Sequence, residues 1–426
     1  MRQRRTRLLA LALTSLILAC APVASARLTA WQLIDQAESF TTPTGAVVGS
    51  HGEIWLSGGA LNTTRGLTYA IARADLGGHF KLFRAPAPSS SIAALPDGTV
   101  YATESVAGGR PNRLLRIRAP SPVGEVRLPD AAANAADVIA GPDGNAWFVE
   151  NSEDATINAV GRVTPAGQLS EFPLPPVSVA GLPAPASPTA IAAGGGNTLW
   201  VAVQGGIDQL SSAGAVLQTI ALGTSEGDEQ LAVAGDGSVW VSGNGTLTHV
   251  SAGGAISPIG LPQQTEPGAI ATGPDGQVYF MAGLYSGVWR ASGPGAPLAT
   301  QLFVDIPRSL SFQRYKLFPQ PGHSLAAGPD GTLIVMAELE ALGGGTIESA
   351  AVVQLGTSCV VPQLSLLGVS QARHELAAHQ CALGKVRQLK EPGSDVVCVH
   401  PKPGSVLAVG ARVAVTLGAF LVHHRC

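Results

Sequence analysis

The chain has 426 residues, with 26 Lys or Arg against 29 Asp or Glu and a formal net charge of −3. Charged residues make up only 13% of it, well below the usual share for soluble domains, while Gly (52) and Pro (31) are abundant. The length admits two domains or one large repeat array, and the composition points to an all-β fold. Residues 27–358 are acidic (−11) and residues 359–426 basic (+4). That division excludes nucleic-acid binding by the acidic body, where phosphate repulsion dominates, and leaves the basic tail free to favour an anionic surface.

In chain order, the first predicted element is a targeting segment. Arg2, Arg4, Arg5 and Arg7 precede an apolar run over residues 8–19, too short to span a bilayer comfortably, and Ala24-Ser25-Ala26 follows. The expectation is a signal peptide over 1–26, export, and a secreted or cell-envelope location. Cys20, preceded by Ile17-Leu18-Ala19, resembles an imperfect lipoprotein box, so a lipid anchor on Cys20 is the alternative. No later segment is apolar enough for a transmembrane helix.

A pattern then recurs seven times: VVGSHGEIWLS, IAALPDGTVYATE, IAGPDGNAWFVE, IAAGGGNTLWVAV, LAVAGDGSVWVSG, IATGPDGQVYFMAG and LAAGPDGTLIVMA. In the third copy Gly141-Pro142-Asp143-Gly144 reads as a tight turn, with Pro where φ near −65° is wanted and Gly where φ is positive. The strand after it is apolar on both faces, Ala146 and Phe148 on one and Trp147 and Val149 on the other, so it must be covered twice. The aromatic position falls at Trp55, Tyr101, Trp147, Trp200, Trp240 and Tyr279, with Ile334 in the last copy, at intervals of 46, 46, 53, 40, 39 and 55 residues. A period in the forties with several short strands per unit predicts a β-propeller over residues 28–357, one four-stranded blade per copy and seven blades. The Ala-rich strand before each turn suits the crowded axis, and the aromatic strand packs between blades.

The last copy ends early, and a ring must not leave an open edge. The segment LTAWQLID (28–35) is predicted to supply the missing strand and clasp the ring shut. The longer intervals imply insertions: a Pro-rich loop over 173–189, and residues 299–322 with the aromatic-basic stretch SFQRYKLF. Arg314 and Tyr315 in that stretch are candidate ligand contacts at the mouth of the ring; the bland alternative is an ordinary loop.

With GPDGNAWFVE followed by INAVGRVTPAGQLSEFPLP, the chain resembles the streptogramin B lyase (virginiamycin B lyase) family over about residues 28–357. The resemblance implies a seven-bladed propeller and an activity that opens a cyclic depsipeptide or lactone by elimination, acting as a carbon–oxygen lyase with Mg²⁺. Such chemistry needs a base for a Cα proton and a cation for the developing charge. The family supplies them from a His position before each inner strand and a carboxylate after each aromatic strand. Here the His position holds Thr44, Ser90, Ala136, Glu229 and Gly268, and His only at His323. The carboxylate position holds Glu104 and Glu150, but Gly58, Val203, Gly243, Ala282 and Ala337 elsewhere, with Glu338 one residue off. The catalytic candidates are therefore His323, Glu104 and Glu150. Their bland readings are a surface histidine and two strand-end caps.

Beyond Cys20, the cysteines are Cys359, Cys381, Cys398 and Cys426. In an oxidising compartment four clustered cysteines read as two disulfides, with three connectivities open. Histidines lie among them, but only His374 and His379 have zinc-ligand spacing, so no metal site is predicted. Ala372, Leu376 and Ala377 share one face of a predicted helix over 369–379. Residues 359–421 run from CVVPQLSLLGVSQARHELAAHQCALGKV to VVCVHPKPGSVLAVGARVAVTLG and resemble a PASTA domain: a strand over 360–364, the helix, then three strands. That resemblance implies a Cys359–Cys381 bridge, leaving Cys398 with Cys426, in a small α+β domain over 359–426 that contacts peptidoglycan.

Together these readings favour an exported envelope binding or scaffold protein, with an unknown small molecule or protein at the propeller mouth. The alternative is a divergent lyase of the streptogramin type, with Mg²⁺ as its only cofactor.

Overall fold

The computed structural model describes residues 28–418 apart from 33–37, 63–65, 75–79, 105–112, 153, 224–228, 244, 262–266, 283–286, 292–300, 303–312, 318–324, 329–331, 342–346, 357, 363, 366, 379–380, 390–392, 404 and 409–410. The described turns of the repeat have the predicted geometry. Gly144 carries φ of 78°, and its amide donates to the Gly141 carbonyl at 3.1 Å. Gly98, Gly237 and Gly276 stand at the same place in their turns with φ of 84°, 83° and 73°. The positive φ removes any side chain but hydrogen at little cost. Each turn therefore sends an inner strand back along its neighbour as an aromatic strand.

Among the described residues, six four-stranded antiparallel sheets follow one another in chain order, and a five-stranded sheet completes the series. Their inner strands are Glu38–Val48, Ile92–Ala94, Asn134–Ala140, Ala190–Ala193, Gln230–Val233, Pro267–Thr272 and, in the seventh sheet, Leu325–Ala327. Each inner strand touches the next, and the last touches the first, so the series closes into a ring. This is an all-β propeller. Small side chains let the inner strands converge: Ala93, Ala190, Ala232 and Ala269 are all buried.

The double-faced aromatic strands find their two covers in the neighbouring sheets. On Ala146–Asn151, Ala146 and Phe148 pack with Tyr101, Leu114 and Val126 of the second sheet. Trp147 and Val149 pack instead with Ile191, Leu199, Val201 and Leu210 of the fourth. Trp55 does the same between the first and second sheets, against Val100, Ala102 and Leu115, and Trp240 between the fifth and sixth, against Ile270, Val278 and Phe280. Trp55, Tyr101, Trp147 and Tyr279 are 2% exposed or less. Burying one such ring contributes about 3 kcal/mol, so the aromatic rows are what hold one sheet to the next.

A second periodic row was not read from the sequence. The third-strand residue in register with each aromatic is Arg73, Arg116, Arg162, Gln209, His249 and Arg290. The Arg73 guanidinium lies 5.8 Å from the Trp55 ring centroid, and that of Arg162 5.5 Å from Trp147. His249 meets Trp240 edge-on at 4.8 Å. The flat guanidiniums over Trp55 and Trp147 add cation–π attraction to the apolar packing.

The predicted clasp is present. Leu28–Gln32 pairs antiparallel with Ile347–Gly356, from Leu28 opposite Leu355 to Gln32 opposite Ala351, as the outermost strand of the seventh sheet. Residues 33–35 lie outside the described residues. The insertions differ from expectation. Within 173–189, Val177–Val179 and Leu182–Ala184 pair as a small hairpin rather than a plain loop. Within 299–322, Gln313–Leu317 is a strand rather than a loop, placing Arg314 opposite Glu340 and Lys316 opposite Glu338. The reason is length: Thr332–Ala341 has ten residues, room to pair with Leu325–Ala327 along one half and Gln313–Leu317 along the other.

Residues after the ring form a separate core of Cys359, Val361, Leu364, Ala372, Leu376, Cys381, Val396, Val413, Val415 and Leu417. Strand Ser358–Val360 precedes helix Val369–Ala378, which ends one residue before the predicted boundary. Four strands follow rather than three: Ala382–Gln388, Asp395–His400, Val406–Ala408 and Arg412–Gly418. Ala382–Gln388 runs along a sheet edge, parallel to Arg412–Gly418. Cys359 and Cys381 are disulfide-bonded. Cys398 is also disulfide-bonded, and its expected partner Cys426 lies outside the described residues. No helix among the described residues is long and apolar enough to cross a membrane.

Candidate functional site

Antiparallel pairing brings the start of each inner strand beside the end of its aromatic strand, as with Asn134 opposite Asn151. One end of the ring therefore gathers the family positions that lie among the described residues, and the candidate site is this mouth. Its polar groups bond mostly to one another. Thr44 Oγ1 lies 3.0 Å from Ser57 Oγ and donates to the Ser89 carbonyl. Ser90 Oγ lies 2.9 Å from Thr103 Oγ1, which in turn accepts the Ser91 amide at 3.0 Å. In the fifth sheet Glu229 accepts from Thr189 Oγ1 at 3.2 Å, and Ser242 Oγ donates to the Gly268 carbonyl at 2.8 Å.

Asp137 links three sheets here. Its carboxylate accepts from Ser91 Oγ of the second sheet at 2.8 Å and from the Ile191 amide of the fourth at 3.0 Å. Ser91 Oγ also accepts the Val138 amide at 3.0 Å. The sequence reading passed over Asp137, although an acid inside the Ala-rich run NAADVIA was a visible anomaly. An acid in an inner strand needs donors from its neighbours, and the ring supplies them.

Glu104 and Glu150 occupy the same place in successive repeats, but each faces its own gap. Glu104 alternates with Val100 and Ala102, which pack toward the first sheet. Its carboxylate meets Arg113, Nε to Oε2 at 2.5 Å and Nη2 to Oε1 at 3.4 Å, and Arg113 also holds Glu125 at 2.5 Å. Glu150 alternates with Ala146 and Phe148, which pack toward the second sheet. It is 2% exposed, and its Oε2 has no hydrogen-bond partner.

Burial, then the charge and hydrogen bond of Glu171 and the charge of Asp130, push the Glu150 carboxyl up to about 7. Burial also raises Glu171, against the lowering effect of its hydrogen bond with Glu150. Of the two, Glu150 is the carboxyl pushed up to about 7, and its bond with Glu171 favours the charged form of Glu171. Two carboxyls in one gap ionise together only at a large cost, so this is a carboxyl–carboxylate couple near neutrality.

His323 lies outside the described residues. Arg314 and Tyr315 are on the strand Gln313–Leu317, at the register positions given above. The structure thus places Glu104 and Glu150 in different inter-sheet gaps rather than at a common point. For Mg²⁺ the described donors do not fit: Glu104 is paired with Arg113, and Glu150 is buried beside a second carboxyl in a different gap. No group of three or more His, Cys, Asp or Glu among the described residues is spaced to hold a metal ion.

Solved structures with the same fold include two of virginiamycin B lyase from Staphylococcus aureus. A catalytically inactive form with quinupristin is 19% identical, covers 78% of this chain and 99% of that one, and superposes with a TM-score of 0.54. A selenomethionine-substituted form is 21% identical over the same shares, with a TM-score of 0.56. At such identities the likeness establishes the fold. No curated protein matches the sequence. A family model described as the virginiamycin B lyase family matches residues 24–288, more than half of the chain. On that match, together with the closed ring of antiparallel sheets, the chain belongs to the virginiamycin B lyase family.

Proposed function

We propose that this is an exported cell-envelope binding protein: a seven-bladed propeller that takes a small molecule or protein at its mouth, followed by a PASTA-like domain over 359–426 that contacts peptidoglycan. Each of the seven sheets is read as one blade, and the Arg-rich leader as a signal peptide, with a lipid anchor on Cys20 as the alternative. The observation that carries the binding reading is the separate pairing of Glu104 with Arg113 and Glu150 with Glu171. A lyase of the family's type needs a free base and cation ligands converging on one substrate, and these two carboxyls are committed to their own neighbours.

Family membership and one specific group support the second reading, a divergent carbon–oxygen lyase. Glu150, with its carboxyl near 7, is placed to exchange a proton at neutral pH. Incubation of the purified protein with a streptogramin B lactone and Mg²⁺ separates the two readings. Unchanged lactone is the expected result. Ring opening by wild type that is lost in His323→Ala would establish the lyase instead. Sedimentation with purified peptidoglycan, comparing the full chain with a truncation before residue 359, tests the C-terminal assignment; equal sedimentation of both would remove it.

A further inference from the structure

The three-stranded sheet of the C-terminal region turns one face to the helix, and its other face carries exposed side chains among the described residues. Val413, Val415 and Leu417 of Arg412–Gly418 are buried in the same core as Ala372 and Leu376 of the helix. Alternation along the strand puts Arg412, Ala414 and Thr416 on the opposite face. Register brings Arg387 there, opposite Thr416, and Lys385 two residues before it. From the third strand, Cys398 and His400 join them, opposite Thr416 and Ala414. Lys385, Arg387, Arg412 and His400 are all exposed. The three cations make no ion pair among the described residues. Among the described residues the face carries one carboxylate, Asp395 at its far end opposite Gly418, which accepts from Ser394 Oγ at 3.2 Å.

We propose that this face binds a linear polyphosphate-like polyanion, with Lys385, Arg387 and Arg412 each holding a phosphate of a different repeat unit. Arg412 and Arg387 are separated by four positions of register, about 13 Å along the strands at roughly 3.3 Å per residue. That span is too wide for one phosphate and suits a chain of them. Guanidinium forks take phosphate oxygens two at a time, and two of the three cations are Arg. Among the described residues of this face, Ala414, Thr416 and Cys398 stand between the cations, and the exposed Val386 between Lys385 and Arg387 is too little apolar surface to anchor in a bilayer, so a polymer is favoured over a membrane. The charge of the whole chain steers in the same direction. Residues 27–358 carry −11 and repel a polyanion, while residues 359–426 carry +4.

The inference rests on the reading that this domain faces the envelope, but names a partner chemically distinct from neutral glycan. Its test uses the full chain without the leader and three probes: long-chain polyphosphate, peptidoglycan stripped of phosphate, and phosphatidylglycerol vesicles. Wild type should bind polyphosphate with an affinity that falls steeply with added salt. The triple variant Lys385→Glu, Arg387→Glu, Arg412→Glu should bind at least about tenfold more weakly. The corresponding triple Gln variant, which removes charge without reversing it, should fall between the two.

Polyphosphate binding that is absent in wild type, or unchanged in both variants, overturns the proposal. So does capture by the vesicles as strong as by polyphosphate. Peptidoglycan binding retained by variants that lose polyphosphate supports two separate surfaces. Polyphosphate binding by a wild type that ignores stripped peptidoglycan leaves this inference standing and removes the peptidoglycan reading.

Discussion

Glu104 and Glu150 stand at equivalent places in neighbouring repeats, and their chemistry differs because Glu104 has Arg113 and Glu150 has Glu171. The consequence for stability follows from linkage. A carboxyl raised from 4.5 to about 7 holds a proton in the folded protein that the unfolded chain has already released. Stability is therefore fullest below the ordinary carboxylate value and falls as pH rises through the window from 4.5 to 7, by as much as about 3 kcal/mol. Glu150→Gln keeps a donor toward Glu171 and removes the titration. The variant should be more stable than wild type at pH 8, and its urea midpoint should change less between pH 5 and 8. Parallel midpoint curves for the two proteins would show that the couple does not titrate in this way. The carboxylate position itself was legible from the repeat, but its partner was not. Glu171 lies 21 residues further on and reaches Glu150 only because the second, third and fourth strands of one sheet fold beside one another.

At the scale of elements, the repeat announces the strands and the clasp is a matter of counting. Each unit needs four strands, the last copy falls short, and LTAWQ is the unassigned apolar segment at the other end of the chain. The prediction is that deleting residues 28–32 exposes the edge of Ile347–Gly356. An unpaired edge of ten residues is a template for another chain. The truncated protein should melt several degrees lower, as about 1 kcal/mol or more is lost from a domain of this size, and should associate on size-exclusion chromatography. Adding a peptide of sequence LTAWQLID should restore the monomer. A truncated protein with unchanged melting and elution would mean that Leu28–Gln32 decorates the ring without closing it. The insertions were less legible. Gln313–Leu317 alternates Arg314 and Lys316 with Tyr315 and Leu317, but over too few residues to mark a strand, and it becomes one because Thr332–Ala341 outruns its first partner.

At the scale of the molecule, the chain holds two kinds of core. The ring is packed by aromatic rows between sheets and has no cysteine. The C-terminal core is small and drawn, among the described residues, only from positions 359–417, with the Cys359–Cys381 bridge inside it. A small core depends on its staple more than a large one does. Closing a loop across a sequence separation of 22 is worth about 3 kcal/mol. The double variant Cys359→Ser, Cys381→Ser should thus lower the unfolding transition of the C-terminal region sharply and leave that of the ring in place. The check is calorimetry of the full chain, and a common downward shift of both transitions would show a single cooperative unit.

By itself the sequence determined the all-β class, the repeat and its turns, the double-faced aromatic strands and the strand that returns to close the ring. These are local or periodic properties: a Gly at positive φ, a period of two along a strand, a recurrence in the forties along the chain. The tertiary structure alone decided which carboxyl meets a cation and which meets another carboxyl. It also decided that Asp137 would tie three sheets together, that an Arg would lie over the Trp55 and Trp147 rings, and that three cations would share one sheet face. Those outcomes depend on register between strands far apart in the chain and on which sheet lies beside which. A charge or a hydroxyl has no pattern that says what it will face until the ring has closed.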